Sequence, residues 1–192
     1  MAMFQIRFHG RGGQGVVTAA ELLSVAAFLE GKHAQAFPSF GSERTGAPVV
    51  SFCRIDDKEI RLREPIVDPD ALVVQDPTLF KVIDVFQGLK PDGYLLINSH
   101  KTIQQLDLSA AAGKLLAGHV RTVPATELAM RHVGRPVPNA ALLGGFAALT
   151  GLVDLQSVAT AIREAFPGKV GEANVTAATA AYELLAVVSA AA

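Results

Sequence analysis

The sequence predicts a single α/β domain over residues 1–192: Rossmann-like, with a mostly parallel sheet, an inserted β-hairpin and C-terminal helices. Three observations carry that expectation. A short alternating apolar stretch runs into a glycine-rich turn and then a helical pattern near the N-terminus. The strand–turn–helix rhythm breaks at about residue 48 and resumes at about residue 71. The last third is helical and rich in alanine and glycine.

Taken in order, Phe4, Ile6 and Phe8 begin a strand that enters the loop "GRGGQG", residues 10–15. Residues 16–30 follow as a helix, with Val16, Ala20, Leu23 and Ala27 on one face and Gly31 as its C-cap. "HAQAFPSF" reads as a second strand broken at Pro38, so strand, turn, helix and strand open a parallel βαβ unit. "PVVSFCRIDDKEIRLREP" is two alternating runs around Asp56 and Asp57, with Ile60 and Leu62 set against Glu59, Arg61 and Arg63. That is the pattern of a hairpin with one wet face. "DALVVQD" is the next strand and "TLFKVIDVFQG" a helix closed by Gly88, with Pro77 at its start. "GYLLINS" is a strand, a short helix is expected at 102–107, another strand near "HVRTVP", and a helix over "ATELAMRHVG". "NAALLGGFAALTG" carries small residues on several sides and calls for a second backbone close by. "DLQSVATAIREAF" and "GEANVTAATAAYELLAVV" complete the helices, with Asn174 near the start of the last and Tyr182 nearer its end.

Composition narrows the function classes. Half of the residues are hydrophobic, 18% are charged, and the formal net charge is −1. That leaves no basic stripe for nucleic acid, and so little charge suits a subunit that hides surface in a complex as well as it suits an alanine-rich monomer. No internal repeat is visible. No apolar run reaches the ~18 residues of a membrane span, and Met1 to His9 lacks the form of a signal peptide; a soluble, cytoplasmic protein is expected. The lone cysteine, Cys53, excludes an internal disulfide and an all-cysteine metal or iron–sulfur site built by this chain alone.

Two polar loops stand out as binding candidates. Gly10, Arg11, Gly12, Gly13, Gln14 and Gly15 match G-x-G-x-x-G and lie where a strand enters a helix, so outward N–H groups and the helix dipole favour an anion. A dinucleotide site also needs an acid ending the second strand, about 20 residues on; "HAQAFPSF" has none, and Glu43 comes too late. The P-loop pattern fails for want of Gly-Lys-Ser/Thr. Tight strand–helix packing alone is the competing role for the glycines. The second loop, "SFGSERTGAP", places Ser42, Glu43, Arg44 and Thr45 at the same carboxyl edge, where Glu43 and Arg44 also make sense as a solvated ion pair. Asp76 and Asn98 end strands at that edge. His9, His100, His119 and His132 are scattered, without metal-ligand spacing, and read as surface or satisfied histidines. His33 reads as a charge partner of the preceding helix C-terminus, Cys53 as a core residue, and Asn139 as an N-cap. No residues suit catalysis by this chain alone, and no metal site is expected.

"GRGGQGVVTAAELL", "FPSFGSERTGAPVVSFCRI", "VVQDPTLF" and "NAALLGGFAAL", in that order over about residues 4–185, resemble the gamma subunit of the 2-oxoacid:ferredoxin oxidoreductases, which act on pyruvate, ketoisovalerate, 2-oxoglutarate, phenylglyoxylate or indolepyruvate. The resemblance implies an α/β subunit of a heteromultimer that decarboxylates a 2-oxoacid oxidatively, in most members to an acyl-CoA. Thiamine diphosphate and Mg2+ are then expected in the alpha and beta subunits and iron–sulfur clusters mainly in a delta-type part, with ferredoxin or another acceptor taking the electrons. It also implies that residues 10–15 and 42–45 face the CoA region or a neighbouring subunit. Many members carry a second glycine or arginine near Thr45, where this chain has threonine. A stand-alone Rossmann-like nucleotide-binding protein and a purely structural scaffold subunit are the alternatives.

Overall fold

The computed structural model describes residues 3–39 and 46–190. Its six strands are β1 (Phe4–Arg11), β2 (His33–Pro38), β3 (Pro48–Asp56), β4 (Ala71–Val74), β5 (Tyr94–Asn98) and β6 (Val120–Val123), arranged β2-β3-β1-β4-β5-β6. β1, β4, β5 and β6 run parallel, while β3 is antiparallel to both β1 and β2. The opening βαβ unit therefore exists, but a third strand is inserted between its two strands.

Side-chain alternation explains the layers. Ala71 and Val73 of β4 join one apolar cluster, Leu72 and Val74 the other; a strand covered on both faces reads as an unbroken apolar run. The larger cluster holds Ile6, Phe8 and Leu96 against α1 (Val16–Leu29), α4 (Asn139–Thr150), α5 (Leu155–Ala165) and α6 (Lys169–Ala190). Val16, Ala20, Leu23 and Ala27 are all buried there, as the helical spacing predicts. The smaller cluster packs Leu95 and Ile97 against Leu79, Val85 and Leu108. α3 (Ala125–His132) follows β6, and the short α2 (Ser109–Ala112) lies between β5 and β6. α4 is buried from Asn139 through Ala147. Its Phe146 alone contributes about 2–3 kcal/mol of burial, and at Gly144 a Cβ would sit 1.9 Å from the carbonyl oxygen of Ala178. The close backbone expected at "LLGGF" is α6.

Three local expectations are corrected. The antiparallel insertion is real, but β3 pairs with β2 and β1, and residues 59–63 form no strand. With both edges of β3 taken, the second run has no ladder to join. It is held instead from Arg54, 1% exposed, whose Nη2 donates to the Glu64 carbonyl at 2.6 Å and whose guanidinium lies 5.2 Å from the centre of the Phe37 ring. Residues 78–88 are not an α-helix: a 3-10 turn covers Pro77–Lys81, and beyond it the buried Arg7 takes the carbonyls of Val85 and Gln87 at 2.9 and 2.6 Å. The helix expected at 102–107 is a single turn, stopped where Asp107 adopts φ 59°. The four-residue α2 begins at Ser109.

Candidate functional site

The β1–α1 loop lies at the carboxyl edge where the chain first turns one way, to β2 and β3, and then the other, to β4. Such a switch of direction opens a crevice between the two flanking strands. Beside that point, a crevice of about 340 Å³ is lined by the ends of β4 and β5, the start of α3, and Gln14 from the glycine loop.

The glycines divide by role. A Cβ on Gly10 would stand 2.5 Å from Val16 Cγ2 and 3.2 Å from Gln75 Cβ. Gly15, at φ 72°, would meet Asn139 Nδ2 at 2.6 Å. Those two let α1 and α4 close on the sheet. Gly13 has φ 92° and no neighbour within 4 Å, so it serves the turn and leaves its flank open.

Arg11 is turned inward. Its Nε donates to Asp76 Oδ2 at 3.0 Å, Nη1 to the Gly46 carbonyl at 3.0 Å, and Nη2 to Thr78 Oγ1 at 2.9 Å. Gln14 accepts from the Arg11 N–H at 2.8 Å and donates to Asp76 Oδ2 at 3.2 Å. Asp76 also accepts from the Thr78 N–H and hydroxyl at 2.9 and 2.6 Å. Burial alone pushes the Asp76 carboxyl up. The Thr78 and Gln14 donors and the Arg11 charge outweigh it and hold the group below the usual carboxylate value. The two polar loops meet at their roots, with the Gly12 N–H on the Ala47 carbonyl at 3.0 Å and the Gly46 N–H on the Gly12 carbonyl at 3.4 Å. Ser42, Glu43, Arg44 and Thr45 lie outside the described residues.

Deeper in the crevice, Asn98 locks β4, β5 and α3 together. Its Nδ2 donates to the Gln75 carbonyl at 2.8 Å and Thr126 Oγ1 at 2.7 Å, and its Oδ1 accepts from the Thr126 N–H at 3.1 Å. Gln75 is 1% exposed. On the rim, the exposed His100 Nδ1 lies 3.0 Å from Glu127 Oε1.

The other sequence candidates fall out as follows. His9 is not on the surface: it is 4% exposed, Nε2 accepts from Arg7 Nε at 3.2 Å, and Nδ1 has no partner among the described residues. Burial, then the Arg7 charge, lowers its pKa to about 3, so the ring is neutral. His119 stacks on Tyr94 at 3.9 Å. His33 is exposed at the start of β2. The cation near the end of α1 is Lys32, which donates to Glu30 at 3.0 Å and to the Leu152 carbonyl. Asn139 is not an N-cap but the first residue of α4, buried against Gly15. Cys53 is fully buried and burial pushes its thiol up. Among the described residues, no three His, Cys, Asp or Glu are grouped to hold a metal, and no helix is long and apolar enough to cross a membrane.

Asp76 as the hub was the residue that sequence reasoning undervalued. Its signal was the Asp-Pro-Thr spacing, in which a carboxylate turns back onto the N–H two residues on. The topology also bears on the dinucleotide reading. Arg11 pairs with Pro48 of β3, so the end of β2 is not beside the glycine loop, and an acid there would not meet a ribose held at that loop.

Comparison with known proteins agrees with this architecture. A family model described as pyruvate ferredoxin/flavodoxin oxidoreductase matches residues 5–184. The chain is 50% identical over 181 residues to the pyruvate synthase subunit PorC of Methanothermobacter thermautotrophicus, covering 94% of this chain and 95% of the relative. It is 50% identical over 182 residues to the pyruvate/ketoisovalerate oxidoreductases common subunit gamma of Pyrococcus abyssi, covering 94% and 96%. The crystal structure of the pyruvate oxidoreductase subunit PORC from Thermotoga maritima superposes with a TM-score of 0.77 at 36% identity, over 94% of this chain and 96% of that one. With its six-stranded mixed sheet and its glycine loop in place at the switch point, the chain belongs to the pyruvate ferredoxin/flavodoxin oxidoreductase family, as a gamma-type subunit.

Proposed function

We propose that this chain works in the cytoplasm as the gamma subunit of a heteromultimeric enzyme that oxidatively decarboxylates a 2-oxoacid to an acyl-CoA. Its partners are alpha, beta and delta-type subunits that hold thiamine diphosphate, Mg2+ and iron–sulfur clusters, and ferredoxin or another acceptor takes the electrons. In this reading residues 10–15 and 42–45 form the face that meets a neighbouring subunit and the CoA region.

The observation that carries the proposal is the character of the carboxyl edge. It is a built polar crevice with two loops joined at their roots, in which Arg11 is paired with Asp76, and among the described residues no nucleophile is arranged with a base. The lone cysteine is buried in β3, a donor set that does not fit an iron–sulfur cluster, so no step is routed through such a group in this chain. What this chain's residues do is hold shape: Arg11 fastens the second loop, and Asn98 fixes the crevice wall. Exposed apolar side chains at the end of α1 (Phe28, Leu29) and across α3 and α6 (Met130, Leu184, Val187) suit a subunit that covers part of its surface with partners.

Affinity purification of the tagged chain from its own cells tests this. The expected result is a complex with thiamine- and cluster-bearing partners that reduces an acceptor only when a 2-oxoacid and CoA are supplied. A stable monomer with no such partner overturns it.

A further inference from the structure

We propose that the outer edge of β2 pairs antiparallel with β2 of a second copy of this chain, joining two six-stranded sheets across a two-fold axis. The inference goes beyond the function above, which concerns other subunits at the carboxyl edge, and does not depend on it.

β2 closes one end of the sheet and is paired on one side only, with β3. One bond fixes which way its backbone groups point: the Ser39 N–H donates to the Val50 carbonyl at 2.9 Å. Along an antiparallel ladder every second residue turns the same way. Phe37, Gln35 and His33 therefore face β3, while Ala34, Ala36 and Pro38 turn outward. Among the described residues nothing bonds the outward N–H and carbonyl groups of Ala34 and Ala36. A bare strand edge is a template for another strand, and proteins blunt it with charge, with bulges or by keeping it short. β6, at the other end, is four residues long and carries Arg121. β2 has six residues, His33–Pro38, and none of them is Asp, Glu, Lys or Arg. The side chains of Ala34 and Ala36 are methyl groups packed against the core, so neither stands in the way of an approaching backbone.

The edge is complementary to itself. Pro38 has no N–H to offer, so a ladder is built on Ala34 and Ala36. Antiparallel pairing then sets Ala34 of each copy against Ala36 of the other, which makes four N–H to carbonyl bonds, and sets the two Gln35 residues against each other on the axis. His33 falls opposite Phe37, and no like charges meet. α1 packs over β2 and leaves Val25, Phe28 and Leu29 exposed on its outer side, so apolar surface accompanies the ladder on that face of the sheet. A closed pair about a two-fold axis uses the same patch on both copies, and this edge supplies donors and acceptors in equal number.

The test uses the full chain. Sedimentation between ~1 µM and ~1 mM reads its mass, and amide hydrogen exchange reads the strand over the same series. The mass is expected to double with concentration while the Ala34 and Ala36 amides become protected. Those of Gln35 and Phe37, bonded to β3, are expected to be protected throughout. Ala36→Pro removes one outward donor from each copy and leaves the bonds to β3 in place; its dissociation constant is expected to rise about tenfold or more. In the assembled oxidoreductase, Gln35→Cys is expected to give a disulfide-linked pair of these chains on mild oxidation, since facing residues of a non-hydrogen-bonded pair stand about 4.5 Å apart at Cα. Phe37→Cys, opposite His33, is expected to give none. A linked pair found only in the assembled enzyme supports the pairing there. A monomeric mass at every concentration together with no linked pair overturns the proposal, as does a doubled mass with the Ala34 and Ala36 amides still unprotected. Protection of those amides only after other subunits are added, with no linked pair, gives the edge to a strand of another subunit and overturns it as well.

Discussion

Arg11 separates a clamp from an anion ligand, and replacing it with methionine tells the two apart while keeping the apolar stem. The guanidinium makes one ion-paired bond to Asp76 and two to neutral acceptors, the Gly46 carbonyl and Thr78 Oγ1. The ion pair is 28% and 15% exposed at its two side chains, so water weakens but does not abolish it. About 1–2 kcal/mol for the pair and roughly 0.5 kcal/mol for each wetter bond give a loss of about 2–3 kcal/mol. For a chain of this size that is a fall in Tm of about 5–10 °C. Crossing Arg11→Met with Asp76→Asn in a double-mutant cycle, measured by urea unfolding, is expected to show a coupling of about 1–2 kcal/mol. In the assembled enzyme the KM for CoA is expected to move less than tenfold. Unchanged stability together with a KM raised far more than tenfold refutes the clamp and makes Arg11 a ligand contact.

Other expectations follow from the same geometry. Gly144→Ala drives a methyl into the Ala178 carbonyl and is expected to cost at least 2 kcal/mol in urea unfolding, ~3 kcal/mol if α6 cannot shift. Gly15→Ala meets both a left-handed φ and the Asn139 amide, whereas Gly13→Ala meets the φ alone; thermal melts are expected to show the first losing more, the second about 1 kcal/mol. Because the folded His9 pKa is depressed, the unfolded chain takes up a proton that the native chain refuses. Stability is therefore lost as pH falls below about 6.5 and continues to fall towards pH 3. Between pH 7 and 4.5 the wild type is expected to lose about 2–3 kcal/mol more than His9→Gln, and parallel curves for the two proteins count against a buried neutral imidazole.

Much of the architecture is legible because the core is periodic. The burial of Val16, Ala20, Leu23 and Ala27 follows from their spacing alone, and "DALVVQD" and "GYLLINS" are too apolar to be anything but strands covered on both faces. The misread segments are those where a buried arginine overrides local pattern. Residues 78–88 have helical spacing, but Arg7 binds their carbonyls from β1, and residues 59–63 alternate like a strand but hang from Arg54. The first depends on contacts 78 and 80 residues apart, and the second on a contact ten residues apart together with the loss of a free edge on β3, which no local window contains. At the site, the sequence marks the glycine loop by composition. That Arg11 faces inward, and that the Gln75 side-chain amide has no partner among the described residues, depends on which strands end side by side.

The placing of β3 between β1 and β2 also constrains when the protein can form. The strand made last of the three is the one in the middle. As the chain leaves the ribosome, β1 and β2 have no ladder between them until Asp56 has emerged, and α1 keeps its apolar flank uncovered until α4 to α6 are made, some hundred residues later. Pairing of such high sequence separation is slow. The N-terminal third, which carries the glycine loop, is thus among the last regions to become native, and a chain released before α6 is complete is a natural client for a chaperone.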